Sequence, residues 1–258
     1  MPSIRRLAAV LVALAVVTSL PAVAAHRLGA AVELEARYWT SEFTGSAFVD
    51  GVPVPLDGTI GLEMDVDDAV EGRLTVRPGA GFFLRARYQT LSAAGVQELG
   101  LSVDLPGGGD LSVEVGLESF LDFDYGGVAL GWQFRGPAGR WRVGPFVEAK
   151  GVRGSTGIDV TFLGQSAGIR EDFEGGLVTY GALLEILPSD RWLVFAEMSV
   201  SAEDDVDLND MEFGLRYFPS DRLGLGLGYR VLEIEGFVDD VPLNLEYEGI
   251  FGSLLLMY

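Results

Sequence analysis

The sequence predicts an all-β fold, an antiparallel up-and-down β-barrel of about ten strands with eight or twelve as alternatives. Three observations predict it. Apolar residues recur with period two over most of the chain, the spacing of a strand with two unlike faces. Tight turns rich in Pro, Gly, Ser and Asp alternate with long acidic stretches, so the strands pair as hairpins. No stretch after the N-terminal segment carries 18 consecutive apolar residues, so any membrane crossing after that segment is by strands.

The strands can be followed in order. Val32, Leu34, Ala36 and Tyr38 oppose Glu33, Glu35, Arg37 and Trp39. Leu74 and Val76 oppose Arg73, Thr75 and Arg77, and Phe82, Leu84, Ala86 and Tyr88 oppose Phe83, Arg85, Arg87 and Gln89. Val128, Leu130, Trp132 and Phe134 alternate with Gly127, Ala129, Gly131 and Gln133. Trp141, Val143, Pro145 and Val147 oppose Arg142, Gly144, Phe146 and Glu148, with Lys150 beyond on the polar parity. Val178, Tyr180, Ala182, Leu184 and Ile186 face away from Thr179, Gly181 and Glu185. Trp192, Val194, Ala196, Met198 and Val200 face away from Glu197, Ser199 and Ser201. Met211, Phe213, Leu215 and Tyr217 oppose Glu212, Gly214, Arg216 and Phe218, and Leu223 to Tyr229 alternate with glycines before Arg230. The chain closes on Ile250, Leu254, Leu256 and Tyr258 at one parity.

Short turns fall at 77–81, 135–140, 187–191 and 218–222. Long, Gly- and Asp-rich stretches fall at roughly 43–70, 94–116, 155–174, 202–210 and 235–246 and read as loops. Four short turns at one end, with both termini there, imply five hairpins. The stretch 98–117 can itself form a hairpin, standing above the barrel or adding two strands. At Tyr125–Gly126–Gly127 the apolar parity switches, from Leu121, Phe123 and Tyr125 to Val128 and Leu130, which reads as a β-bulge.

Residues 1–25 read as a cleaved signal peptide: Arg5 and Arg6, the apolar run Leu7 to Val17, then the small-residue site Ala22-Val23-Ala24. The barrel then occupies 26–258. Without cysteine there is neither a disulfide scaffold nor a thiolate metal site. A net charge of −20 beside a mean hydropathy of +0.28 requires apolar and charged surfaces that are segregated.

Alternation alone does not say which face meets lipid. The aromatics do. Phe82, Phe134, Trp141, Trp192, Tyr217 and Tyr258 lie beside the short turns, and Tyr38, Tyr88, Tyr180 and Tyr229 lie a few residues up their strands. Two aromatic belts flanking an aliphatic band are what the two interfaces of a bilayer select. The other face mixes charges of both signs with glycine, which suits a narrow lumen. With these features the chain resembles a bacterial outer-membrane β-barrel protein over essentially its whole length after residue 25, so the barrel is expected to be transmembrane. The resemblance implies location in the outer membrane of a Gram-negative bacterium. It also implies contact with outer-membrane lipid and recognition of the last strand, at Leu254, Leu256 and Tyr258, by the outer-membrane assembly machinery.

The polar face then forms a lumen charge network of Glu33, Glu35, Arg37, Arg73, Arg85, Arg87, Arg142, Glu148, Glu197, Glu212, Arg216 and Arg230, with Arg77, Lys150 and Glu185 on the same parity. A set of interlocking salt bridges plugging the barrel is the expected arrangement; a narrow charge-lined channel for small solutes is the alternative. Acidic loop residues such as Asp65, Asp67, Asp68, Asp122 and Asp124 form a solvated surface that repels nucleic acid. Asp205, Asp207 and Asn209 begin like a calcium loop, but Asp210 and Arg216 stand where such a loop needs Gly and Glu. No cofactor is expected beyond loosely bound divalent cations. Outer-membrane enzymes that use a catalytic His lack a counterpart here, since His26 is the sole histidine. The expected role is therefore non-enzymatic, structural or interactive, in a monomer. A secreted soluble barrel binding an apolar ligand is the third reading.

Overall fold

Ten strands wind into a closed antiparallel wall, and two short ones hang off it. The structure, a computed structural model, describes residues 31–49, 52–55, 64–79, 81–105, 109–136, 139–162, 165–201, 206–238 and 241–258. In chain order the strands are β1 (Val32–Val49), β2 (Val52–Pro55), β3 (Met64–Gly79), β4 (Phe82–Leu105), β5 (Gly109–Trp132), β6 (Phe134–Arg135), β7 (Trp141–Phe162), β8 (Gln165–Ser189), β9 (Trp192–Ser201), β10 (Val206–Tyr217), β11 (Leu223–Val238) and β12 (Val241–Met257). β2 pairs only with β1, and β6 carries the line of β5 onward against β7. The remaining ten pair with their neighbours, and β12 pairs with β1 from Glu33↔Met257 to Ala47↔Leu243, closing the circle. Backbone bonds seal the seam at its base: Tyr258 N–H donates to the Val32 carbonyl (2.9 Å), and Ala31 N–H donates to the Tyr258 carbonyl (2.9 Å). Closure satisfies every neighbour-facing ladder, the condition for a sheet to cross hydrocarbon.

At one end the strands turn tightly, as at Gly79 and Gly81, whose φ values of 115° and 88° only glycine adopts without strain. At the other end the expected long loops are largely strand. β4 and β5 are 24 residues each, β7 is 22 and β8 is 25. A spanning strand needs only about 9–11 residues, so these hairpins rise well beyond the bilayer. The stretch 98–117 stands above the wall within the β4–β5 hairpin, in register from Glu98↔Gly116 to Leu105↔Gly109. Residues 155–174 and 235–246 likewise belong mostly to β7–β8 and β11–β12. β9 and β10, at 10 and 12 residues, scarcely exceed the bilayer.

The expected bulge at residues 125–127 does not exist. Pairing runs without a shift through Tyr125↔Val152, Gly126↔Gly151 and Gly127↔Lys150. Side chains keep alternating, and the environment changes instead. Below this level Val128, Leu130 and Trp132 point outward to lipid; above it Leu121, Phe123 and Tyr125 point inward to a buried apolar core. The same exchange occurs on β8 between Val178 and Leu177, on β10 between Met211 and Leu208, and on β11 between Tyr229 and Leu232. The lower barrel is thus apolar outside and charged inside, whereas its upward extension is apolar inside and polar outside.

One close approach governs the lower wall. Where β5 passes into β6, the Trp132 carbonyl lies directly over Gly144 of β7, and the Gln133 Cα would be 2.9 Å from any Cβ there. These obstacles are backbone and cannot swing away. Gly151, on the same strand, has open space where its Cβ would be. Gly144→Ala is expected to lower stability by about 1–3 kcal/mol, read as a shift in the urea midpoint of barrel folding into vesicles, while Gly151→Ala leaves that midpoint in place.

Candidate functional site

Because inward positions recur every second residue, neighbouring strands deliver their polar side chains to the lumen rung by rung. β1 contributes Glu33, Glu35 and Arg37; β3 contributes Glu71, Arg73 and Arg77; β4 contributes Arg85, Arg87 and Gln89. β7 adds Arg142, Glu148 and Lys150, β8 adds Glu185, β9 adds Glu197, β10 adds Asp210, Glu212 and Arg216, and β11 adds Arg230. Among the described residues these are nine cations and eight carboxylates, a net charge of +1 in a chain whose total is −20.

They form one unbroken network. At the base Arg77 bridges Glu33 at 2.5 Å, Glu33 meets Arg142 at 3.6 Å, and Arg142 binds Glu185. Glu185 then reaches Arg216 (3.5 Å), which holds Glu35 at 2.8 Å, and Glu35 holds Arg37 at 3.1 Å. Glu212 is the hub of the middle layer: it accepts from Arg37 (2.8 Å) and takes two bonds from Arg73 (2.9 Å each). Arg85 donates to Glu197 at 2.6 Å, and Glu197 also lies 3.9 Å from Arg73. Glu71 links Arg73 (2.9 Å) upward to Arg230 (2.9 Å). In the top layer Arg230 donates to Asp210 (2.6 and 2.8 Å) and to Gln89 (2.9 Å). Arg87 donates twice to Glu148 (2.6 Å each), and Lys150, the chain's one lysine, lies between Ser199 (2.9 Å) and Asp210 (3.3 Å).

Aromatic rings close the network from above. The Arg230 guanidinium sits 4.9 Å from the Trp39 ring and 5.8 Å from that of Tyr125; Arg87 and Lys150 also face Tyr125, at 5.2 and 5.5 Å. Lower down, Arg37 stacks on Phe251 and Arg216 on Phe195, both at 4.5 Å. Such contacts stabilise a cation where water is excluded. Above them Leu91, Phe123, Phe173, Leu232, Ile234 and Leu245 belong to an apolar core within the extension. Within the lower lumen a cavity of about 30 Å³ remains, lined among others by Glu35, Arg73, Arg85, Gln133 and Arg216. That volume matches about a single water molecule.

All twelve residues of the network expected from the sequence point into this lumen and meet there. Two anions escaped sequence reasoning. Glu71 and Asp210 are buried and central, yet each shares the parity of a recognised neighbour, Arg73 and Glu212 respectively. Parity was the signal, masked by the acidic residues around them. Of the expected interface aromatics, Tyr38, Phe82, Tyr88, Trp141, Tyr180 and Trp192 are exposed on the outer wall, Tyr88 to 55%, while Tyr217, Tyr229 and Tyr258 are partly covered. Phe82 packs edge-on against Trp132 (4.2 Å), and Trp192 lies tilted by 47° against Tyr217 (5.0 Å). Asp205 and His26 lie outside the described residues. Asp207 and Asn209 sit on β10 away from the core, and the Asn209 amide donates to Glu233 at 3.0 Å. Among the described residues no three His, Asp or Glu side chains gather as a metal cage.

The network makes a sharp energetic demand. Glu212→Gln leaves the Arg37 and Arg73 guanidiniums sharing one neutral amide, and breaking such a buried pair costs about 3–5 kcal/mol. Equilibrium unfolding from vesicles is expected to show that loss for Glu212→Gln and a change within about 0.5 kcal/mol for the exposed Asp207→Asn.

No family model and no curated sequence matches the chain. Solved structures do. The outer-membrane protease OmpT of Escherichia coli superposes with a TM-score of 0.54 at 8% identity, over 88% of this chain and 96% of that one. The β domain of the Bordetella autotransporter BrkA gives 0.44 at 11% identity, over 88% and 100%. Neisserial surface protein A gives 0.33 at 11% identity, over 88% and 97%. The OmpT superposition, the closed ten-stranded wall, the outward aliphatic band and the aromatic belts agree: this chain has the fold of a bacterial outer-membrane β-barrel, with a wall built for that membrane.

Proposed function

We propose that this protein is a non-conducting, non-enzymatic outer-membrane barrel that acts structurally or by interaction, through the extension it raises above the bilayer. The observation that carries this reading is the continuous salt-bridge network of the lumen. A conducting pore lines its lumen with charges that solvent and ions can reach; here the nine cations are buried, and every one has a carboxylate within 4.0 Å. Among the described residues the charged part of the lumen keeps a cavity of only about 30 Å³, with the apolar core above it, which supports a closed lumen. A soluble apolar-ligand barrel is disfavoured by the outer band itself, which would hold Leu227, Phe213 and Leu130 in water with about 60% of each exposed.

The interacting surface is then the outside of the extension, where Glu118, Asp122, Asp159, Asp172, Glu174, Asp207, Glu233 and Glu235 are exposed. Such a surface is soluble, resists association with like-charged neighbours and attracts cationic partners. Among the described residues the lumen offers no histidine-based nucleophile or acid–base pair, and the carboxylates there are paired with cations.

In planar bilayers with concentrated KCl, the purified chain is expected to give no discrete current steps. Reproducible steps abolished by changing Arg85 and Arg87 would establish the channel reading in its place. Assembly supplies a second test. Tyr258 closes the seam on Val32, so deletion of Tyr258 is expected to reduce the heat-modifiable folded form in outer-membrane fractions by most of its amount, whereas Tyr258→Phe keeps it.

A further inference from the structure

β8 is the longest strand of the barrel, and its neighbour β9 is the shortest of the ten that form the wall. β8 pairs with β7 along its full rise, from Phe162↔Gln165 to Trp141↔Ile186. On its other side it pairs with β9 only from Thr179 downward. Among the described residues, therefore, Gln165 to Leu177 form a sheet edge with no partner strand. The edge lies just above the membrane, since the interface residue Tyr180 is on the same strand. Unpaired N–H and C=O groups in a row are a template for an added strand. Such an edge is commonly blunted by Pro, Lys or a covering element; Gln165 to Leu177 contain neither Pro nor Lys, and Gln165 to Arg170 are exposed on both faces.

The charge of this edge is asymmetric. Asp172 and Glu174 are exposed, two residues apart on the outward face. Arg170, the one cation of the edge, is drawn away from it: its guanidinium stacks across Gly157 on the Phe120 ring at 4.5 Å. Beside Asp172 and Glu174 is a pocket of about 500 Å³, lined by Asp122, Asp124, Arg153 and Ser155 together with the core residues Leu91, Phe123 and Phe173. Four carboxylates thus surround one guanidinium next to the free edge. A second copy of this chain would bring the same carboxylates against themselves, which disfavours edge-to-edge pairing of two barrels.

We propose that the free edge of β8 captures an extended cationic peptide by β-strand addition, with Lys or Arg at alternate positions opposite Asp172 and Glu174. Main-chain bonds hold the strand, and the two carboxylates select its charge and register. This deepens the interaction reading above by naming a surface and a partner class, and the conductance record tests the closed lumen independently of it.

The test uses the full chain without residues 1–25, refolded in detergent micelles, and fluorescently labelled peptides followed by anisotropy. The probe is Thr-Lys-Val-Lys-Val-Thr; its controls are Thr-Glu-Val-Glu-Val-Thr and the Lys peptide N-methylated at alternate residues, which keeps the charge but cannot complete the ladder. The Lys peptide is expected to bind, the Glu peptide not to bind, and N-methylation to abolish binding. The D172N/E174Q double variant, whose fold is checked by heat-modifiable mobility, is expected to weaken binding about tenfold. Equal binding of the N-methylated peptide would reduce the contact to diffuse electrostatics and overturn the proposal, as would unchanged affinity of the double variant. A doubled mass of the chain alone in light scattering, returned to that of a monomer by Gly168→Pro, would assign the edge to a second copy and overturn it equally.

Discussion

A charge held inside hydrocarbon must meet its opposite, and the whole barrel is organised around that requirement. Moving an isolated carboxylate or guanidinium from water into a medium of low polarity costs far more than any single packing contact returns. The lumen resolves this by near-neutrality, nine cations against eight carboxylates, and by sharing. Glu212 serves two guanidiniums, and Asp210 lies within salt-bridge reach of Arg87, Lys150 and Arg230. Removing Glu212 therefore takes a carboxylate from two guanidiniums at once, and removing Asp210 takes one from three cations. The rest follows: inward positions on adjacent strands must stay in register, so the ladders run unshifted across the spanning region from β5 to β7 and from β7 to β8.

The network also explains the placement of aromatic rings inside the barrel. Trp39 and Tyr125 are at the boundary where charged lumen gives way to apolar core. Their faces accept the outermost guanidiniums and their bodies pack into the core above. The transition from ionic to apolar filling therefore happens within one inward step along a strand, about 7 Å, as from Arg230 to Leu232 on β11.

Much of this was legible in the sequence because period-two alternation is read directly from residue types. The outward aromatics and the twelve lumen residues come from parity, and the tight-turn end and the ten strands from the spacing of Pro-, Gly-, Ser- and Asp-rich turns. The extension was harder to read. Stretches such as 155–174 are rich in Gly and Asp, residues depleted from strands in general, and only the pairing of β7 with β8 along its whole rise reveals them as sheet. Tyr125 was misread for a related reason. A switch of apolar parity is produced equally by a bulge and by an unbroken strand that leaves one solvent for another, and the residue types alone do not separate the two. Asp210 was hidden in the same way, a lumen anion at the end of an acidic run.

The inversion of inside and outside along each strand has a mechanical consequence. Were the barrel to sink by one rung, Asp124, Glu174, Glu233 and Glu248 would approach the acyl chains, each at a cost of up to about 1 kcal/mol. Were it to rise by one rung, Val178, Val200 and Met211 at the top of the apolar band would leave lipid for water above the bilayer. Both displacements are uphill around the circumference, so the molecule has a fixed draught in the bilayer. Whatever its extension meets, it meets at a constant height.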